Sequence, residues 1–274
     1  MDFEKEYYED EAFWEGDMLQ DPANQGRIEF TADLIPGDVT GLCDVGCGNG
    51  VFANYLLENK PGLHVMAIDR SAAALKYVRS EKKEGDVSAI PFSDASYDCV
   101  TCLEVIEHLP CGIYEKGLAE LARVAKKYVI ISVPFEEVLE ERHNQCPSCK
   151  TIFNHDLHLR NFDDAKMNEL LKAHGFSLVK LDHLGLSKHL MGHHFFRKLF
   201  YKEQFKEWRS PICPLCGFTK EKKADQKPLQ AIAQKPSIKS KIIPLLTSLP
   251  KLLWPKEGKY YWVIGLYKKD SFTG

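Results

Sequence analysis

The stretch Gly41-Leu-Cys-Asp-Val-Gly-Cys-Gly-Asn-Gly50 decides the fold. A short apolar run enters three closely spaced glycines, and Val51 then opens a segment that stops at Lys60-Pro61-Gly62. That order reads as strand, glycine turn and helix. Strands joined through helices form a parallel sheet covered on both faces.

Outward from this stretch the same alternation continues. Residues 24–34 predict a helix before it. After it come a strand at 63–68 closed by Asp69, a helix capped by Ser71 and running through Arg79, and a short edge strand ending at Asp86. A strand at 97–103, a helix around 111–126 and a strand at 128–133 closed by Pro134 follow. The pattern breaks from Pro134 to about Arg160, resumes as a helix at 163–174 and a strand at 176–181, and breaks again over 183–258 before a last strand at 260–267. No internal repeat interrupts this reading. The expected division is a core of residues 1–133, 159–183 and 259–274, with 134–158 and 184–258 inserted as a lid.

The composition suits that architecture. With 274 residues, 44% hydrophobic, the chain can bury enough apolar surface to offset the entropy of ordering, which excludes a disordered or collagen-like protein. The net charge of −3 is a cancellation: residues 183–258 carry fifteen Lys/Arg and five Asp/Glu, leaving −13 on the rest. A basic insertion on an acidic body points to an anionic partner. The acidic, aromatic N-terminus lacks the basic and apolar regions of a secretory signal. The apolar stretch 242–254 is broken by Pro244 and Pro250, well short of the ~20 residues that span a bilayer. A cytoplasmic protein, at most peripheral to a membrane, is expected.

The glycine turn lies where a doubly wound sheet holds a nucleotide-like ligand. Its third glycine comes two residues after the second rather than three, so it is an imperfect pyrophosphate cradle. Asp69 is placed to accept hydrogen bonds from ribose hydroxyls, and Asp86-Val87 can offer a carboxylate and an amide to an adenine edge. These motifs, with Ala67-Ile-Asp-Arg-Ser71, Gly85-Asp-Val-Ser-Ala-Ile-Pro-Phe92 and Tyr97-Asp-Cys-Val-Thr-Cys-Leu-Glu-Val-Ile-Glu-His-Leu109, resemble class I S-adenosylmethionine-dependent methyltransferases. The resemblance implies an α/β fold, a seven-stranded doubly wound, Rossmann-like sheet with an antiparallel last strand. It also implies a cofactor site of Asp44, Gly46, Gly48, Gly50, Asp69, Arg70, Asp86, Val87 and Cys102.

Glu104, Glu107 and His108 stand at i, i+3 and i+4, so on a helix they would share one face. Such a set can bind a hard divalent cation or move a proton. The Glu-x-x-Glu-His pattern is similar to ubiquinone-biosynthesis O-methyltransferases and small-RNA 2′-O-methyltransferases, which implies Mg or Mn there, with His158 as the later histidine. O-methylation of an amphiphilic, anionic or lipid-linked small molecule or glycan precursor is the first reading. RNA 2′-O-methylation and a non-catalytic binding protein are the alternatives.

Cys146-Pro-Ser-Cys149 and Cys213-Pro-Leu-Cys216 are knuckle-like pairs that together supply the four thiolates of a structural zinc site. One pair follows strand five and the other strand six, so zinc would join both insertions in a zinc-ribbon-like lid. The aromatic and cationic stretch 193–208, and the Lys-containing apolar stretch 239–254, suit an anionic membrane surface, the bases and phosphates of a single strand, or packing of their apolar faces on the body.

Overall fold

The computed structural model describes residues 8–15, 21–190, 212–218 and 256–271. Its centre is a seven-stranded sheet. The strands are β1 (Gly41–Val45), β2 (His64–Asp69), β3 (Glu81–Glu84), β4 (Tyr97–Leu103), β5 (Ala125–Pro134), β8 (Phe176–Leu184) and β11 (Trp262–Lys269), in the order β3-β2-β1-β4-β5-β11-β8. The first five are mutually parallel, and β11 runs antiparallel to both β5 and β8. Two two-stranded antiparallel sheets complete the strands: the hairpin β6 (His143–Gln145) with β7 (Ile152–Asn154), and β9 (Ser187–Leu190) with β10 (Lys256–Lys259).

The described helices are α1 (Glu11–Trp14), α2 (Pro22–Asp33), α3 (Val51–Asn59), α4 (Ala72–Leu75), α5 (Ile113–Val124) and α6 (Asp164–Glu169). Strand residues alternate between two apolar layers. Cys43, Val45, Val129, Ile131 and Val133 pack with Leu118 and Leu121 of α5 and Met167 of α6. Leu42 and Ile130 face Ile28 of α2 and Phe52 and Leu56 of α3. Burial on both faces is why the central strands read as continuous apolar runs.

Some elements differ from expectation. The helix expected to reach Arg79 stops at Leu75, because Asn54 captures the following backbone: its Nδ2 donates to the Tyr77 carbonyl (3.0 Å) and its Oδ1 accepts from Arg79 N (2.7 Å). The expected 163–174 helix is α6 followed by a separate 3-10 turn, Lys172–His174. The Glu104–His108 segment is a bend and a turn rather than a helix, with Glu104 in the left-handed region (φ 57°). That conformation costs an L-residue energy and takes Glu104 off the face it was expected to share with Glu107.

Candidate active site and thiol cluster

The glycine turn is locked to the end of β2. Ile68 O accepts from Gly46 N (2.8 Å) and Cys47 N (2.9 Å), while the two oxygens of Asp69 accept from Gly48 N and Ser71 N, each at 2.8 Å. Gly46 requires glycine twice over: its φ is +72°, and a Cβ would lie 2.4 Å from Val105 Cγ2. The cradle is therefore in contact with the turn that carries Glu107. Asp44 is buried beneath it, accepts from Thr101 Oγ1 at 2.7 Å, and is pushed up to about 7 by desolvation. Desolvation also raises Asp69.

The short N-terminal segment covers this cradle. The Trp14 ring abuts Gly48, Asn49 Nδ2 donates to Trp14 O (3.3 Å), Ser71 Oγ donates to Tyr8 O (2.5 Å), and the Arg70 guanidinium lies over the Tyr8 ring at 5.5 Å. Of the other expected cofactor residues, exposed Asp86 accepts from Ser88 N and Ser88 Oγ, Val87 packs beside the core, and Cys102 is wholly buried in it.

Beyond β4 the expected quartet separates. Glu104 accepts from Ser132 Oγ (2.8 Å) and Trp262 Nε1 (3.0 Å), with Arg27 Nη1 at 3.9 Å. Glu107, His108 and His158 come together instead, their donor atoms within 4.8 Å of one another. His158 arrives because its neighbours dock on the turn: Leu159 N donates to Glu107 O (2.9 Å), and Arg160 Nη1 to Ile106 O (2.5 Å). The Glu107 side chain is 1% exposed, and neither carboxylate oxygen has a hydrogen-bond partner among the described residues. His108 Nε2 lies 3.9 Å from Oε1, too far for a hydrogen bond. Burial, then the Glu104 charge, raises the Glu107 carboxyl well above its ordinary range. Burial, then His158, holds His108 down to about 3, so its imidazole is neutral.

Three side chains escaped the sequence reading. Arg27, buried on α2, was legible in principle, since it shares a helix face with Ile28, Thr31 and Ala32. Trp14 lacked any local signal. Glu137, whose Oε2 lies 2.5 Å from His158 Nδ1, precedes its partner by 21 residues and belongs to no motif.

The four expected thiols converge. Cys146 Sγ lies 3.7 Å from Cys216 Sγ, and Cys149 Sγ 3.7 Å from Cys213 Sγ, with all four within 4.8 Å of one another. Ligands about 2.3 Å from a tetrahedral zinc stand about 3.8 Å apart, so the donor set fits that ion, and the spacing is far too long for disulfides. The Thr151 hydroxyl beside Cys149 brings its thiol down to about 6, toward the ligating thiolate. Residues 193–208 and 239–254, on which the membrane and RNA expectations rested, lie outside the described residues. No helix among the described residues is long and apolar enough to cross a membrane.

Residues 43–133 match the family described as "Methyltransferase domain". This segment is a methyltransferase domain. The chain that carries the methyltransferase domain is 33% identical over 115 residues to a ubiquinone biosynthesis O-methyltransferase of Hahella chejuensis, covering 38% of this chain and 46% of that protein. It is 34% identical over 107 residues to a demethylmenaquinone methyltransferase of Deinococcus radiodurans, covering 36% and 44%. It thus spans under half the length of either relative. A SAM-dependent methyltransferase from Archaeoglobus fulgidus shares the fold of the domain and its surroundings, with a TM-score of 0.52 at 15% identity over 89% of this chain and 92% of that one.

Proposed function

We propose that the chain is an S-adenosylmethionine-dependent methyltransferase that methylates a hydroxyl of a small amphiphilic acceptor where Glu107, His108 and His158 meet. The observation that carries this reading is Glu107, a buried carboxylate with both oxygens unpartnered, beside the glycine cradle. Such a group costs stability and is retained where chemistry needs it. The similarity to relatives named for quinone substrates supports an amphiphilic acceptor.

The cofactor, when bound, supplies the methyl group. Asp44 with Gly46, Gly48 and Gly50 would surround its methionine portion, Asp69 and Arg70 its ribose, and Asp86 and Val87 its adenine. Glu107 and the two imidazoles would orient the acceptor hydroxyl, and an imidazole nitrogen would take its proton. Glu107, His108 and His158 also suit Mg or Mn, which when bound lowers the pKa of a hydroxyl; Glu104 stands outside this set. The four thiols are read as a structural zinc site.

Two results test the reading. Asp69→Asn should weaken S-adenosylhomocysteine binding roughly 10–100-fold by calorimetry, because the new amide opposes an N–H donor that the carboxylate accepted. Cofactor carrying a labelled methyl group, incubated with the protein and a fractionated cell extract, should label small organic molecules. Label entering only RNA, or cofactor binding without transfer to any fraction, overturns the proposal.

A further inference from the structure

His158 stands in the set with Glu107 and His108, and its Nδ1 faces Glu137. Glu137 Oε2 lies 2.5 Å from His158 Nδ1, and both side chains are about nine-tenths buried. Glu137 is itself held. Arg142 Nε lies 3.3 Å from Glu137 Oε1, and Arg142 Nη1 pairs with Asp156. The Arg142 carbonyl accepts from His155 N at 2.8 Å. Arg142 and Asp156 flank the β6–β7 hairpin, whose connecting turn carries Cys146 and Cys149. The base of that hairpin is thus a brace of one guanidinium between two carboxylates, and one of those carboxylates grips His158.

Glu137, Asp156 and His158 also place donor atoms within 4.8 Å of one another, which invites a second metal-site reading. Charge argues against it. Arg142 contacts both carboxylates from inside the cluster, so a cation is already supplied by the chain. Glu107, by contrast, has both carboxylate oxygens without a hydrogen bond among the described residues and no Arg or Lys ion pair there.

We infer that Glu137 is a positioning residue that fixes His158 as the Nδ1–H tautomer and so presents Nε2, with its lone pair, to the pocket. A carboxylate facing Nδ1 can only accept, so that nitrogen must carry the proton. The same contact fixes the plane of the ring, which a proton acceptor and a metal ligand both require. The role assigned to the pocket rests on the methyltransferase reading above; the tautomer does not.

The test is heteronuclear NMR on metal-free protein with ¹⁵N-labelled histidine, His158 being assigned by the signal lost in His158→Asn. Long-range ¹H–¹⁵N correlations at pH 8 should show a protonated Nδ1 and an unprotonated Nε2 in the native protein. Glu137→Gln, whose side-chain oxygen still accepts, should keep that pattern, and Glu137→Leu should lose it. An Nε2–H tautomer in the native protein, or a pattern unchanged by Glu137→Leu, overturns the inference. Should Glu137→Leu fail to fold, the native and Gln spectra decide. S-adenosylhomocysteine titrated into the same samples keeps the two readings apart. No binding by native protein removes the methyltransferase reading and leaves the tautomer result standing.

Discussion

Glu107→Gln is expected to raise the melting temperature of chelator-treated protein while lowering methyl transfer by about 10²–10⁴-fold. Both effects come from one side chain. The carboxyl is buried with neither oxygen hydrogen-bonded among the described residues, and the Glu104 charge adds to its cost. An uncharged amide of the same shape removes the part of that cost that comes from charge, the opposition of Glu104 included. The same change removes the only acid in the three-residue set that faces His108 and His158. Differential scanning fluorimetry beside a transfer assay checks the pair. A variant both less stable and fully active would make Glu107 an ordinary packing residue.

Cys213→Ser is expected to remove one zinc per chain and to release the hairpin without melting the sheet. The apolar cluster there consists of Cys146 and Cys213 with Phe153 and Phe218 against them, far too little to hold the chain unaided. Structural zinc supplies on the order of 10 kcal/mol at such sites, so its loss should open the unit completely. The sheet, with its two apolar layers, has no need of the ion. Elemental analysis should fall from one zinc to none. Limited proteolysis should cut within 140–156 while S-adenosylhomocysteine still binds. Zinc retained in full, or a hairpin protected without it, would sink the four-thiolate reading.

The centre of the sheet was legible because β1, β2, β4 and β5 are short apolar runs, the first two ended by Gly46 and Asp69 and the last by Pro134. The four thiols were legible because knuckle pairs carry their own spacing. Elements set by side chains from elsewhere were not. Asn54 ends α4 from another helix, and nothing in residues 71–79 announces it. Glu104 was placed on a helix by spacing alone, but a left-handed backbone turns it toward Ser132 and Trp262, the latter 158 positions away. Glu137 reaches His158 only because a hairpin folds between them. Local rules recover local structure, and the pocket is where distant segments meet.

The placement of two indoles has a practical consequence. Trp14 lies on the glycine cradle and Trp262 donates to Glu104, while the other two tryptophans of the sequence, Trp208 and Trp254, lie outside the described residues. Indole emission follows the polarity of its surroundings. With Trp208 and Trp254 changed to Phe, the protein carries one indole against the glycine turn and one bonded to Glu104. Changing either of the two in turn leaves a single reporter, and on the proposed function the first would follow the cofactor in real time without an attached dye.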